Sequence, residues 1–236
     1  MITSRRLDDR ELFLQRQGQA WFTTATAGKE AVLAAAGIVL RPTDPIWGYY
    51  RDRTLCFLRG VTEREMLLQT VAASADPASG GRQMPEHWGD PEKAIVIYAS
   101  PTGSQCIPAA GLAEAITKTK LLLGEGRFPA DSVVYTALGE DTTAEGEFYE
   151  AMRAAINARV PLITCVMDDG FGISVPVSEQ IPGGDLMALF RGWPCLTVLE
   201  NDGNSVRASY DNFTKAVRLC RSGQGPVLLR SKVLRL

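Results

Sequence analysis

From residue 94 onward, short apolar runs alternate with longer stretches whose apolar residues recur at helical spacing. Short continuous apolar runs are typical of strands that are buried on both faces of a parallel sheet. We predict strands at 94–98, 132–138, 161–167, 195–199 and 226–230, and helices at 107–123, from 142 onward and at 206–220. Because strands that alternate with helices are joined by right-handed crossovers, the pattern predicts an α/β fold, a parallel sheet with helices on both faces.

The part of the chain before residue 94 is predicted to be helical. Helices are expected at 5–20, at 28–40 and from 63 to about 73, and the prolines within 41–45 end the second of them. Residues 74–91 are rich in Gly, Pro, Ser and Ala without a period, which indicates an irregular loop. We therefore predict a single domain over 1–236, with a helical N-terminal portion and loop at 1–92 and the alternating core at 93–236.

Two of the predicted helices begin at a pattern that is typical of a capping box. Thr62 is followed three residues later by Glu65, and Thr142 is followed at the same spacing by Glu145. In such a box the threonine hydroxyl and the glutamate carboxylate each accept a hydrogen bond from the other residue's backbone N–H. Both helices are thus expected to start directly after their threonine.

Composition excludes several classes of function. The chain has 236 residues, 25 basic and 27 acidic side chains and a net charge of −2, which leaves no electrostatic footprint for nucleic acid. The longest apolar run, 31–40, is far shorter than the roughly 18 residues that cross a bilayer, so no membrane partner is expected. The N-terminus lacks an apolar signal core, and the five scattered cysteines form no CxxC pair. Reduced thiols in a cytoplasmic protein are the expectation.

Acidic residues follow two consecutive predicted strands. Glu140 and Asp141 come after the strand at 132–138, and Asp168 and Asp169 come after the strand at 161–167, so that Glu140 and Asp169 are 29 residues apart. The carboxyl ends of parallel strands meet at one edge of a sheet, which is where such sheets bind ligands. Oxygen ligands suit a hard cation such as Mg²⁺, which usually keeps only one or two carboxylates and takes its other ligands from phosphate and water. The spacing therefore predicts a metal that holds a phosphorylated cofactor.

The segments 139–151 and 168–180 together resemble a known family. Gly139-Glu140-Asp141 followed by Asp168-Asp169 is similar to the thiamine-diphosphate motif, a GDG followed by an NN pair. The longer segments resemble the alpha subunit of the decarboxylating component of 2-oxo acid dehydrogenase complexes. Further stretches agree with the branched-chain type, namely 49–53, 81–89 and 100–105. The resemblance implies a thiamine-diphosphate-binding fold.

The resemblance also implies a role for particular positions. Glu140, Asp169 and the backbone carbonyl of Phe171 would hold Mg²⁺, while Tyr50 and Arg51 would meet the diphosphate of thiamine diphosphate. The remaining cofactor-binding positions are the aminopyrimidine contacts Ser100 and Thr102 and the motif residues Gly139, Asp141 and Thr142. A potassium ion in some relatives is held by the segment that corresponds here to Ser100, Pro101, Ser104 and Gln105. His87 is a candidate for the wall of the active site, and no catalytic residue is assigned within the chain.

Each of these positions also has an ordinary structural interpretation. Glu140 and Asp141 suit the N-terminus of the following helix, where the helix dipole favours acids. The segment 168–170 suits a turn, as does Ser100 before a proline. Arg51 suits a surface ion pair, and His87 suits a loop histidine whose hydrogen bonds are satisfied within the protein.

Three positions depart from the family pattern. Asp141 stands where the motif has a glycine, Asp168-Asp169 stands where it has two asparagines, and Met167 stands where branched-chain relatives carry an arginine that helps to hold the diphosphate. Four carboxylates are thus expected around one cation, and a carboxylate beside phosphate oxygens is repulsive. This predicts that thiamine diphosphate binds weakly or not at all, and that a bare divalent cation binds better than usual. Relatives continue beyond the position of Leu236 into a loop that carries an active-site histidine.

The function that the resemblance implies is that of an alpha subunit, or alpha-like fragment, of a 2-oxo acid dehydrogenase, an oxidoreductase that is incomplete without its beta subunit. The expected partners are this beta subunit, in a homo- or heterotetramer, and the lipoyl acyltransferase that receives the acyl group. One alternative is a non-catalytic partner that kept the fold and lost the cofactor. Another is an acetoin dehydrogenase-like or transketolase-like thiamine enzyme.

Overall fold

The computed structural model describes residues 1–124 and 126–236, and its centre is a parallel sheet of five strands. In chain order these strands are β1 (Ile46–Trp47), β2 (Val134–Gly139), β3 (Leu162–Asp168), β6 (Thr197–Asp202) and β7 (Val227–Lys232). Their spatial order is β1-β2-β3-β7-β6. Two further short strands, β4 (Phe171–Gly172) and β5 (Val175–Pro176), form an antiparallel pair beside the sheet.

Eight α-helices accompany the strands in the described parts of the chain. They are α1 (Ile2–Arg16), α2 (Glu30–Val39), α3 (Arg53–Leu58), α4 (Glu63–Thr70), α5 (Cys106–Leu123), α6 (Gly146–Ala158), α7 (Val177–Gln180) and α8 (Val206–Arg221). Short 3₁₀ turns lie at Asp141–Ala144, Pro182–Gly184 and Leu186–Leu189. Within these described residues, no helix combines the length and the apolar character that a membrane crossing needs.

Helices cover both faces of the sheet, as predicted. Side chains of α2 and α8 form one core with alternate sheet residues such as Tyr135 and Ile163. Side chains of α5 and α6 form a second core with the intervening residues, among them Val134 and Leu162. Because successive side chains of a strand point to opposite faces, the continuous apolar runs of β2 and β3 supply both cores.

The first strand of the sheet is not the one that the sequence predicts. Residues 94–98 make only isolated bridges: Ile46 N–H donates to the carbonyl of Ala94 over 2.8 Å, and Val96 N–H donates to the carbonyl of Ile46 over 2.9 Å. The edge strand is instead β1, which directly follows the segment 41–45 that was expected to end a helix. A strand of two residues is too short to show a period in the sequence. Because β1 lies within 1–92, part of the predicted helical N-terminal portion belongs to the sheet.

One predicted capping box forms and the other does not. Thr62 and Glu65 exchange both hydrogen bonds of the box at the start of α4. At the second site, a 3₁₀ turn occupies Asp141–Ala144 and α6 begins only at Gly146, with no side-chain cap. The Thr143 hydroxyl bonds back to the carbonyl of Glu140 over 2.6 Å, so the chain turns tightly where β2 ends. This turn holds Glu140 at the sheet edge rather than at a helix start.

The register of β2 and β3 places the acidic segments next to each other. Gly139, the last residue of β2, pairs with Met167, the penultimate residue of β3. Glu140 therefore leaves the sheet directly beside Asp168, and both strands present their carboxyl ends to the same edge. This edge is the place where ligands of such sheets bind.

Candidate functional site

A cleft of about 250 Å³ lies at the carboxyl ends of β2 and β3. Its lining mixes acidic, basic and aromatic side chains from segments far apart in the sequence. The lining residues are Ala27, Lys29, Tyr49, Tyr50, Arg51, Gly139, Glu140, Asp141, Met167, Asp169, Phe171, Ile173, Arg235 and Leu236. Seven of them are among the predicted cofactor and metal positions: Tyr50, Arg51, Gly139, Glu140, Asp141, Asp169 and Phe171.

Glu140 and Asp169 meet in this cleft. The backbone N–H of Asp169 donates to Oε2 of Glu140 over 3.3 Å. The second oxygen of each carboxylate, Oε1 of Glu140 and Oδ1 of Asp169, is buried without a hydrogen-bond partner among the described residues. Burial, together with the nearby carboxylates, raises the pKa of Glu140 to about 7. Unpaired buried oxygens are costly, and a cation between them would satisfy both.

The four acidic residues do not all converge on one point, in contrast to the sequence-based expectation. Asp168 faces away from the cleft and accepts a hydrogen bond of 2.7 Å from Nε of Arg230. Asp141 accepts from the backbone N–H of Thr142 over 2.9 Å. Among the described residues, no group of three or more His, Cys, Asp or Glu side chains is arranged to hold a metal. The candidate metal site thus offers two carboxylates, Glu140 and Asp169.

Lys29 is a residue of the cleft that sequence reasoning missed. Its Nζ donates to Oδ2 of Asp169 over 2.9 Å, and the side chains are only 5% and 14% exposed. The sequence suggested only that Lys29 opens a helix, and in the structure it is the N-cap residue of α2. The two partners are 140 residues apart, so no local pattern connects them. The ammonium neutralises one of the two candidate metal ligands.

Tyr50 and Arg51 line the cleft opposite the acidic residues. Nε of Arg51 donates to the hydroxyl of Tyr49 over 3.3 Å, and its guanidinium lies 5.1 Å from the centre of the Tyr50 ring. A second nitrogen of Arg51 donates to the carbonyl of Ala25. These contacts hold the guanidinium at the cleft, so Arg51 is not the surface ion pair of the ordinary interpretation. Tyr49 is a further lining residue; it belongs to the segment 49–53 that resembles the family, but the sequence assigned it no role.

Phe171 lies at the start of β4 and lines the cleft. Its ring is half exposed, and the guanidinium of Arg235 lies over it, 5.7 Å from the ring centre. Arg235 brings another positive charge to the cleft, and it was also missed from the sequence. The predicted use of the Phe171 carbonyl as a metal ligand stays a prediction.

His87 lies behind the cleft, where its ring centre is 6.1 Å from that of Tyr50. Its Nδ1 is 2.9 Å from the carbonyl of Pro85, and its Nε2 is 2.9 Å from the hydroxyl of Ser100. A carbonyl can only accept, so Nδ1 carries the proton and Nε2 accepts from Ser100. Burial lowers the pKa of His87. The imidazole is therefore neutral and fixed in orientation near the aromatic side of the cleft.

The remaining predicted residues form a turn beside the cleft. Thr102 is exposed, Ser104 donates to the carbonyl of Pro101 over 2.7 Å, and Gln105 donates to the carbonyl of Ala137 over 2.8 Å. Neither Ser100 nor Thr102 belongs to the described lining of the 250 Å³ cleft. The turn contacts the buried Thr142: a Cβ added to Gly103 would lie 3.4 Å from its Cγ2. Aminopyrimidine and potassium binding here stay predictions.

The donor set fits a divalent cation and a phosphorylated anion. Glu140 and Asp169 each have one buried oxygen that lacks a partner among the described residues, and carboxylate oxygens are ligands that Mg²⁺ accepts. Three cationic side chains line the same cleft, namely Lys29, Arg51 and Arg235, and they suit a diphosphate. Gly139 adds a close backbone approach, because a Cβ there would come within 3.4 Å of the Tyr49 hydroxyl. A metal with its diphosphate thus finds ligands and counter-charges in one place.

Comparisons with known proteins place the chain in a family. The family model described as the dehydrogenase E1 component matches residues 1–236. The 2-oxoisovalerate dehydrogenase subunit alpha of Bacillus subtilis is 31% identical over all of this chain and 69% of its own length. The mitochondrial 2-oxoisovalerate dehydrogenase subunit alpha of Caenorhabditis elegans is 33% identical, and the 3-methyl-2-oxobutanoate dehydrogenase subunit alpha of Mycobacterium tuberculosis is 30% identical. The chain spans 52% and 59% of the length of these two relatives.

A solved structure shows the same fold. The crystal structure of transketolase from Campylobacter jejuni matches 87% of this chain and 33% of its own chain, with a TM-score of 0.63 and 19% sequence identity. At this identity the likeness concerns the fold alone. The predicted thiamine-diphosphate-binding fold is confirmed.

Proposed function

We propose that this chain, which belongs to the dehydrogenase E1 component family, is the alpha subunit, or an alpha-like part, of a thiamine-diphosphate-dependent dehydrogenase of branched-chain 2-oxo acids. The whole enzyme would be an oxidoreductase that decarboxylates a 2-oxo acid and passes the acyl group to lipoamide. The substrate class comes from relatives of about 30% identity that are named for branched-chain 2-oxo acids.

The observation that carries the proposal is the meeting of Glu140 and Asp169 at the ends of two neighbouring strands. Their unpaired oxygens lie in a cleft that also presents Lys29 and Arg51. The unpaired carboxylate oxygens suit a cation, and the cationic side chains suit an anion. A metal diphosphate supplies both ions together. The positions agree with the motif that the sequence shows at 139–141 and 168–169.

Each cleft residue would have a defined part in holding the cofactor. Glu140, Asp169 and the carbonyl of Phe171 would bind Mg²⁺, while Arg51 and Tyr50 would bind and orient the diphosphate. Thiamine diphosphate, when bound, supplies the carbanion chemistry of the decarboxylation. The part of this chain is to anchor one end of the cofactor. The turn of Ser100 would contact its other end, near a potassium ion.

The size of the cleft supports a need for a partner subunit. At about 250 Å³ it lies below the ~300–1,000 Å³ that is usual for a complete ligand pocket. A beta subunit that closes the cleft would complete the cofactor site in a homo- or heterotetramer. A lipoyl acyltransferase would then receive the acyl group. We also propose a cytoplasmic location, in keeping with the five cysteines, which are all free thiols.

Calorimetric titration with thiamine diphosphate, in the presence of Mg²⁺ and a co-expressed beta subunit, tests the proposal. We expect saturable binding that disappears when EDTA replaces Mg²⁺. Turnover of a branched-chain 2-oxo acid by the same complex would extend the result to the substrate class. Absence of binding heat at millimolar cofactor would refute the active-subunit proposal.

A non-catalytic partner is the second candidate, and Asp141 favours it. The Asp141 side chain lies against two glycines: an added Cβ would come within 2.8 Å of its Oδ1 at Gly139 and within 2.5 Å of its Cβ at Gly172. A carboxylate at this place repels phosphate. Under this alternative the chain forms a stable complex with the beta subunit and the complex binds no thiamine diphosphate. The titration above separates the two functions.

A further inference from the structure

We propose that Lys29 is a built-in counter-cation of the candidate metal site, which competes with a divalent cation for Asp169 and weakens metal binding. The inference rests on the proposed function in taking Glu140 and Asp169 as the metal ligands. It adds a residue to this site that controls the affinity for the cation. It also reverses the sequence-based expectation that a bare divalent cation binds better than usual.

Lys29 and Asp169 are in direct contact. Nζ of Lys29 lies 2.9 Å from Oδ2 of Asp169, and their side chains are only 5% and 14% exposed. An ammonium inside the protein keeps its charge only where a carboxylate faces it, so this pair is held in place by the cost of separating it. A lysine that merely covered the cleft rim would be exposed, whereas the whole Lys29 residue is 4% exposed.

The contact between Lys29 and Asp169 leaves other carboxylate oxygens of the site without a hydrogen-bond partner among the described residues. Lys29 bonds one oxygen of Asp169, but Oδ1 of Asp169 and Oε1 of Glu140 remain buried and unpaired among the described residues. The other oxygen of Glu140, a residue that is 2% exposed, accepts from the backbone N–H of Asp169. One ammonium therefore does not serve both carboxylates. The remaining carboxylate oxygens can act as ligands of a second positive charge.

The charge of Lys29 also opposes the binding of a dication. A dication bound to Asp169 would share this carboxylate with the ammonium at contact distance, where like charges repel strongly because both are shielded from water. Metal binding therefore requires that Lys29 either tolerate this repulsion or move away from Asp169. Removal of the positive charge relieves the repulsion and frees Oδ2 as a ligand.

A titration with Mn²⁺ alone, without thiamine diphosphate, tests the inference. We compare the unaltered chain with Lys29→Gln, which removes the charge and keeps a hydrogen-bond donor for Asp169. The matched control is Lys118→Gln, which removes the same charge from an exposed pair with Glu114 on α5. By calorimetry we expect Lys29→Gln to bind Mn²⁺ about tenfold more tightly or better, and Lys118→Gln to match the unaltered chain.

Folding is checked by circular dichroism and thermal melting before each titration. Lys29→Arg, which keeps the charge, should bind Mn²⁺ as weakly as the unaltered chain. If Lys29→Gln does not fold, NMR of the unaltered sequence tests whether a bound cation changes the surroundings of Lys29. In the chain with ¹³C-methylated lysines, Mg²⁺ should shift the signal of Lys29 and leave that of Lys118 in place.

The outcomes separate this inference from the proposed function. Tighter Mn²⁺ binding by Lys29→Gln supports the inference even if thiamine diphosphate never binds. Equal or weaker Mn²⁺ binding overturns it, although the proposed function stands if the cofactor binds with Mg²⁺. Absence of Mn²⁺ binding in every variant also overturns it, as does a Lys29 signal that Mg²⁺ leaves unchanged.

Discussion

The backbone N–H of Asp169 donates a hydrogen bond of 3.3 Å to the carboxylate of Glu140. This bond joins the loop after β2 to the loop after β3, which are neighbours because the two strands pair in parallel. It leaves Oε1 of Glu140 and Oδ1 of Asp169 buried and unpaired among the described residues. An arrangement that leaves two buried oxygens unsatisfied costs stability, which is typical of a site that is built for a ligand.

Replacement of Glu140 by glutamine should abolish most of the Mg²⁺-dependent binding of thiamine diphosphate. The amide is a poorer Mg²⁺ ligand than the carboxylate, and we expect the affinity to fall by about 100-fold. Calorimetry with the beta subunit present measures this change. The control is Glu150→Gln on the exposed face of α6, which should leave the affinity unchanged. Equal affinities for the two variants would show that Glu140 is not a metal ligand.

The same Glu140→Gln substitution should stabilise the cofactor-free protein at alkaline pH. Burial raises the pKa of Glu140 to about 7, so the folded protein holds this proton more tightly than the unfolded chain. The contribution of Glu140 to stability is therefore present below its unfolded pKa of 4.5 and is lost as the pH rises through about 7. Urea unfolding should show a gain of up to about 3 kcal/mol at pH 8 and almost none at pH 4. A gain independent of pH would contradict the assigned cause.

The part of this site that could be predicted is the part that follows from strand ends. The apolar runs before Glu140 and Asp169 are long enough to identify β2 and β3, and parallel pairing then brings both acids to one edge. Lys29 could not be predicted, because its contact with Asp169 spans 140 residues and depends on how α2 packs. The same is true of Arg230, which neutralises Asp168 from a strand 62 residues further on.

The fold shows the same division between local signals and tertiary contacts. Four strands were predicted correctly: three of them have a run of at least five apolar or β-branched residues, and the fourth, β7, begins with Val227-Leu228-Leu229 directly after Pro226. The two-residue strand β1 was missed because its pairing with β2 and with the 94–96 segment is decided by tertiary contacts alone. The capping box at Thr142 failed for a related reason: the backbone tightens into a 3₁₀ turn that packs against the loop of Gly103.

Replacement of Asp141 by glycine should strengthen the binding of thiamine diphosphate with Mg²⁺. The substitution removes a carboxylate from the cleft lining and restores the glycine of the motif, and we expect about a tenfold gain in affinity. The charge-matched control is Asp211→Asn, at an exposed ion pair with Arg207 on α8. If the cofactor binds neither the parent nor Asp141→Gly, the carboxylate is not the cause of the loss and the non-catalytic alternative gains support.

His87 should titrate below the usual histidine pKa of about 6.5, because it is buried. The Ser100 hydroxyl donates to Nε2 of the neutral ring and can rotate to accept from the protonated ring, and the bond to the charged form is the stronger of the two, so Ser100→Ala should lower the pKa further. The sequence contains one histidine, and its ring signal in a proton NMR titration therefore needs no assignment. Since the folded pKa is depressed, the contribution of His87 to stability is present above about pH 6.5 and is lost as the pH falls below it. A Ser100→Ala pKa equal to or above that of the parent would contradict this role of the hydroxyl.

Arg53 should be the most sensitive charged residue outside the cleft, because its fully buried guanidinium bonds three carboxylates. It donates to Asp8 over 2.6 Å, to Glu86 over 2.9 Å and to Glu11. These contacts tie α1 and α3 to the loop that carries His87. Arg53→Met would leave three buried carboxylates without their cation, and we expect a loss of about 3–5 kcal/mol in the free energy of unfolding.

Urea unfolding measures the effect of Arg53→Met, and Arg207→Met is its matched control. Arg207 pairs with Asp211 one helical turn away and is 86% exposed, so its replacement should leave the free energy of unfolding nearly unchanged. Burial and the neighbouring Glu11 already raise the pKa of Glu86, which shows that the cluster can take up a proton. A loss of less than about 1 kcal/mol would mean that the carboxylates accept protons when the guanidinium is removed, and the loss should then grow with pH. A loss near the expected value at pH 7 instead identifies the guanidinium as the group that holds α1 against the rest of the fold.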